Sequence, residues 1–149
     1  GNWNIFLINI DSREEEQITY DNNCLNDGPD YSPDGKYIWY NSNRSGTMQI
    51  WRMKNDGTEQ IQITDDKYQN WFPHPSPDGK MIVFLSYPPE IGEWDHPYYK
   101  NVTIKLLNLN TGTIKVIAYL YGGQGTMNVP CWTSDSKGMF FISNTDNLK

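Results

Sequence analysis

Ser32-Pro33-Asp34-Gly35-Lys36 recurs as Ser76-Pro77-Asp78-Gly79-Lys80, 44 residues later. A weaker third copy, Thr133-Ser134-Asp135-Ser136-Lys137, follows 57 residues after the second. Pro presets φ, Asp hydrogen-bonds its own backbone and Gly accepts φ > 0, so each copy reads as a tight turn. Around the first copy the chain runs Tyr37-Ile38-Trp39-Tyr40, Arg44-Ser45-Gly46, Met48 to Met53, Asn55-Asp56-Gly57, then Gln60-Ile61-Gln62-Ile63-Thr64. Short apolar-aromatic strands thus alternate with turn signals every eight to twelve residues. No segment carries a capped helical period. A repeat of this length built from four short strands is the blade of a β-propeller.

Labelled A to D from the channel outward, the strands place the Ser-Pro-Asp-Gly turn between A and B, Arg-Ser-Gly between B and C, and Asn-Asp-Gly between C and D. The chain then opens within a blade: Asn4 to Ile10 reads as a C strand and Glu16 to Thr19 as a D strand, both within residues 1–25. One blade occupies 26–69 and a second 70–126, with a B–C insertion over 87–100; residues 127–149 supply A and B strands only. The expected fold is therefore all-β, with two whole and two half blades. Three blades are too few to close a ring, since propellers carry about four to eight. The two halves are complementary, and open arrays expose bare strand edges. A homodimer exchanging strands would close a six-bladed ring. The other reading is a piece of a longer six-bladed chain.

Composition narrows the function classes. The 149 residues carry 12 Lys and Arg against 18 Asp and Glu, a net charge of −6, and 14% are aromatic. No basic cluster suits nucleic acid. No apolar run reaches membrane-span length. The N-terminus lacks a signal-peptide pattern, which leaves the compartment open between cytoplasm and periplasm. Cys24 and Cys131 are too few for a disulfide framework.

The SPDGK turns, the strand Gln49-Ile50-Trp51-Arg52-Met53 and the ending Gln62-Ile63-Thr64 resemble the TolB-like, WD40-like six-bladed propellers. Asn26-Asp27-Gly28-Pro29-Asp30-Tyr31, Asn70-Trp71-Phe72-Pro73-His74-Pro75 and Gly122 to Asn128 resemble an uncharacterised bacterial subgroup of that family. The resemblance implies a propeller fold over the whole chain. It implies periplasmic protein docking for TolB itself, and metal-dependent pectin-fragment cleavage for a related lyase. No lyase metal set maps onto this sequence, and no metal or cofactor is expected.

Turn parity sends the D–A connections and the B–C insertion to one face. That face gathers Asp27, Asp30, Asn70, Trp71, Phe72, His74, Gln124 and Asn128 from the junctions with Trp94, Asp95, His96 and Tyr98 from the insertion. Loops converging on a rigid scaffold make it the candidate ligand-binding face. Trp71 and Phe72 could equally wedge neighbouring sheets apart, and Asp27 and Asn70 could cap backbone. The other face carries only repeated turn chemistry.

Asp30, His74 and Cys131 occupy the same place in successive blades, four residues before the turn Asp. Together they suggest a nucleophile set or a metal site. Their expected separation is a blade width, too far for the ~3 Å contact of a catalytic hydrogen bond. They are therefore expected to serve channel packing, or hydrogen bonds to Tyr or backbone, rather than catalysis. Gly122 to Thr126 lacks the spacing and following helix of a phosphate loop and reads as a tight junction. The first expectation for function is a non-enzymatic scaffold docking a protein or peptide. A carbohydrate-binding or carbohydrate-cleaving propeller is the alternative. A half-propeller without activity of its own is the third reading.

Overall fold

The computed structural model describes residues 1–144. It is built of antiparallel strands, with no helix among the described residues. β1 (Phe6–Ile8) pairs with β2 (Glu15–Gln17). β3 (Asn26–Tyr31), β4 (Tyr37–Ser42), β5 (Gln49–Lys54) and β6 (Ile61–Gln62) form one four-stranded meander. β7 (Gln69–Pro75), β8 (Met81–Tyr87), β9 (Lys100–Asn108) and β10 (Ile114–Gly122) form a second. Consecutive strands are neighbours throughout, the up-and-down order of a propeller blade.

The repeated turns share one wiring. Ser32 Oγ donates to Asp34 Oδ1 at 2.7 Å, and Ser76 and Thr133 do the same to Asp78 and Asp135. Each Asp also accepts the backbone N–H two residues on. These bonds hold all three carboxyls below their ordinary range.

Two elements differ from expectation. The first strand stops at Ile8 rather than Ile10, because Asn9 turns the chain. Its Oδ1 accepts the N–H groups of Asp11 and Ser12, and its N–H donates to the Glu14 carbonyl. The second difference lies beyond residue 126. The expected A and B strands keep an antiparallel pairing around the third turn, through the Trp132↔Met139 bridge and the bonds from Thr133 N–H to the Gly138 carbonyl and from Phe140 N–H to the Cys131 carbonyl, without extending into full strands. The described residues supply no further strand to pair beyond them, and Phe140 and Ile142 stand 74% and 67% exposed. Residues 145–149 of this expected half blade lie outside the described residues.

Three apolar clusters fill the interior. The largest packs Trp71, Phe72, Leu85, Tyr87, Ile104, Met127 and others between the second sheet and residues 126–132. Trp39, Ile50, Ile82, Phe84 and Leu107 join the two sheets.

A polar clasp repeats at the blade junctions. Asn70 Nδ2 donates to Gln49 Oε1, Thr64 Oγ1 and Asp66 Oδ1. Asn26 Nδ2 reaches Asn4 Oδ1, Thr19 Oγ1 and Asp21 Oδ2 in the same way. A cation closes each clasp: Lys105 lies 3.0 Å from Asp66, and Arg44 lies 2.7 Å from Asp21. The clasps satisfy polar groups that would otherwise be buried alone.

Candidate functional site

The inner strands of both sheets carry a bulge at the same place. Register shifts between Asp27 and Asp30 in β3, and between Trp71 and His74 in β7. Bulges re-aim side chains and cluster beside functional sites. Here the bulge needs a left-handed residue. In β3 that residue is Gly28, at φ +60. In β7 it is Phe72, at φ +54, a conformation costly for an aromatic residue. The two positions touch: a Cβ on Gly28 would sit 3.1 Å from the Phe72 ring and 2.8 Å from Asn41 Oδ1. Asn41 Oδ1 in turn accepts the Phe72 N–H at 2.9 Å.

The insertion folds back onto this bulge. The His96 ring stacks on Phe72 at 5.6 Å between centroids and meets Trp71 at 4.5 Å. The neighbouring Pro97 carbonyl accepts Tyr87 Oη–H and the Gln124 N–H. Gly123, at φ +126, passes so close to that carbonyl that a Cβ would run into its oxygen. The insertion is therefore pinned to the junction after β10, and His96 is held in place by packing.

The result is a cleft of about 370 Å³ lined by Asp27, Asp30, Phe72, His74, His96, Gln124 and Asn128, with Gly28, Pro29 and Pro130. Seven of the twelve residues singled out in the sequence meet here. The other five do not line it. Asn70 is fully buried in its clasp. Trp71 is enclosed beneath His96 and supports the floor. Trp94, Asp95 and Tyr98 lie on the exposed part of the insertion, where Tyr98 packs on Tyr99. The clasp residues Gln49, Thr64 and Asp66 escaped the sequence reading. Their signal is the parallel between Ile18-Thr19-Tyr20-Asp21 and Ile63-Thr64-Asp65-Asp66.

One expectation is overturned. Asp30 and His74 do not stand a blade width apart: His74 Nδ1 lies 3.0 Å from Asp30 Oδ2. His74 Nε2 lies 2.8 Å from the Met127 carbonyl oxygen. Both ring nitrogens thus face acceptors, and both donate when the ring is the imidazolium and Asp30 the carboxylate. Both nitrogens are thus committed to partners within the fold. Cys131 is buried close by, and burial, helped by the Asp30 charge, pushes its thiol up to about 11. A thiol this weakly acidic is not a thiolate nucleophile near neutrality. His74, Asp30 and the Met127 carbonyl form a hydrogen-bonded link between three repeats. Among the described residues no group of three or more His, Cys, Asp or Glu is placed to hold a metal ion.

Apart from the Asp30–His74 contact, the polar residues of the lining are Asp27, His96, Gln124 and Asn128. Asn128 Oδ1 is occupied by the Gly125 N–H. The lining thus combines hydrogen-bonding side chains with the Phe72 and His96 rings.

Comparison with known proteins agrees with this architecture. Residues 1–92 match the family profile of the TolB beta propeller domain. An uncharacterized protein of Agrobacterium fabrum is 44% identical over 140 residues, covering 94% of this chain and 47% of the relative. A solved TolB-like structure from Agrobacterium tumefaciens is 44% identical and superposes with a TM-score of 0.88, over 94% of this chain and 50% of that one. TolB from Acinetobacter baumannii shares the fold at 21% identity and a TM-score of 0.66, over 89% of this chain and 30% of its own. The chain thus spans about half the length of its Agrobacterium relatives, or less.

Proposed function

This chain belongs to the TolB beta propeller domain family, and from that premise we propose that it is a non-enzymatic binding module. Its docking face is the one that carries the blade junctions and the insertion. The observation that carries the reading is the stack of His96 on the left-handed Phe72. A costly backbone conformation and a pinned insertion converge on one cleft, and strain of this kind collects where ligands are held. The ligand is a protein or peptide segment. Exposed Trp94, Tyr98 and Tyr99 extend the rim of the cleft with aromatic contact area, which binds at low entropic cost. The net charge of −6 favours a neutral or basic segment.

The array is completed by a second copy of the chain. Phe6, Ile8 and Ile10 are exposed at one end of the described array, and Val129, Phe140 and Ile142 at the other. Apolar strand edges of this kind need cover.

Peptide display on the immobilised protein tests the docking face. Selected peptides are expected to lose binding to Asp27→Asn and His96→Ala variants and to retain it on Asp34→Asn, at the opposite turns. Peptides that ignore the first two substitutions would overturn the reading. A carbohydrate ligand is the second reading, favoured by the Gln124 and Asn128 amides beside the His96 and Phe72 rings. Saturable binding of a neutral oligosaccharide, abolished by His96→Ala, would replace the peptide by a sugar at the same cleft.

A further inference from the structure

The face of the Ser-Pro-Asp-Gly turns holds a second cleft, of about 480 Å³, between the two four-stranded sheets. Its walls are the two turns, with Pro33, Pro75 and Pro77, the aromatic residues Tyr37 and Trp39, and Arg52 of β5. The Arg52 guanidinium lies 4.3 Å from the Tyr37 ring centroid and 5.8 Å from that of Trp39. Its Nε–H is buried without a hydrogen-bond partner. Among the described residues no carboxylate pairs with Arg52. Unsatisfied charged donors are rare inside proteins and call for an explanation.

Arg44 provides the internal comparison. It too lies over two rings, at 4.7 Å from Trp51 and 5.6 Å from Tyr40. Arg44 is complete, however. Asp21 supplies a carboxylate at 2.7 Å, and Asn26, Tyr40, Ser42 and Gln60 accept its other donors. Among the described residues, Arg52 has the rings and lacks the carboxylate.

The rim does not supply one. Asp34 and Asp78 are held in their own turns by Ser32 and Ser76, and each has its own lysine, Lys36 at 3.5 Å and Lys80 at 3.7 Å. Arg52 is therefore the unbalanced charge of the cleft. Nor does the blade require it. In β5 Arg52 pairs with Trp39 of β4, whereas the matching pair of the second sheet is Leu106 with Val83. Two apolar residues build the same place there.

We propose that the Arg52 cleft is a carboxylate-binding site, in which a ligand carboxylate completes the guanidinium while its apolar body lies against Trp39 and the prolines. Arg presents a planar donor fork that matches a carboxylate, and the flanking rings keep it from swinging into solvent. The site is independent of the docking face proposed above, and its test leaves that reading untouched.

The experiment is an NMR titration of the ¹⁵N-labelled full chain, read at the arginine Nε–H resonances. Benzoate serves as a free acid, N-acetylglutamate α-amide as an acidic side chain, and benzamide as the neutral match. Both carboxylates are expected to shift the Arg52 Nε–H saturably, and benzamide is not. The tighter of the two names the source of the carboxylate. Arg52→Gln is expected to weaken binding by about tenfold or more, the value of one charged pair, and Arg52→Lys to keep part of it. Should Arg52→Gln fail to fold, the benzoate–benzamide difference in the unaltered protein decides alone. Equal shifts from benzoate and benzamide, an absence of any saturable shift, or undiminished binding to a folded Arg52→Gln variant would overturn the proposal.

Discussion

His74 Nδ1 and Asp30 Oδ2 lie 3.0 Å apart although 44 residues separate them in the chain. The same ring reaches the Met127 carbonyl on its other side, so one buried imidazole ties β3, β7 and the segment after β10 together. Each repeat contributes one partner, which gives the contact its weight in the fold.

Replacing His74 with Ala leaves a carboxylate and a carbonyl without their donor in a nearly closed site. A loss of roughly 1–3 kcal/mol is expected, as for leaving buried hydrogen-bond partners unsatisfied. Urea unfolding followed by circular dichroism measures it. Asp30→Asn should cost less, and the double variant should cost less than the sum of the two, because the residues act as one unit. Strict additivity would show that the contact is not formed in solution.

Gly123→Ala should release the insertion. Its Cβ meets the Pro97 carbonyl oxygen, and its φ of +126 is strained for alanine. Amide exchange in residues 88–99 is expected to accelerate, with a lower melting temperature. Gly28→Ala should act at the bulge instead, through Asn41 and the Phe72 ring. Unchanged exchange in Gly123→Ala would mean that the insertion is not anchored there.

Cys131 sets an alkaline limit. Its folded thiol is raised from 9.0 to about 11 by burial first and Asp30 second. The folded state therefore holds the thiol proton more tightly than the unfolded chain does. That stability is fully present below pH 9 and is lost as the pH rises towards and through 11. The shift corresponds to on the order of 2–3 kcal/mol. Urea midpoints measured at pH 8, 10 and 11.5 should fall more steeply for the unaltered chain than for Cys131→Ala. Parallel profiles would contradict the assignment.

Light scattering after size exclusion tests the completed ring. Twice the chain mass of 17.3 kDa is expected. Ile8→Asp and Ile142→Asp, each at an exposed edge, should shift the mass to that of one chain while the β-sheet signal is retained. A folded monomer of the unaltered sequence would sink the dimer.

Much of the fold is legible in the chain. The turns at Ser32 and Ser76 and the strand runs between them give both four-stranded sheets, because turn chemistry and the apolar period are local properties. Parity also placed the junctions and the insertion together, and seven of those residues line one cleft. The failures are equally physical. The Trp132 to Ser143 pattern reads as two strands, and the described residues pair there only over a short hairpin. Equivalent places in successive blades imply a blade width between Asp30 and His74, yet the two side chains touch.

The sequence by itself determined the repeat, the turns, the strand order and the face on which the unusual residues gather, since each rests on neighbours in the chain. Tertiary structure alone decided which of those residues meet. His74 meets Asp30 beside the left-handed bulges at Gly28 and Phe72, and the Pro97 anchor lays His96 on Phe72. Packing likewise encloses Trp71 and, among the described residues, leaves Arg52 without a carboxylate. These outcomes depend on distances between blades, and no spacing along a single chain encodes a distance between sheets.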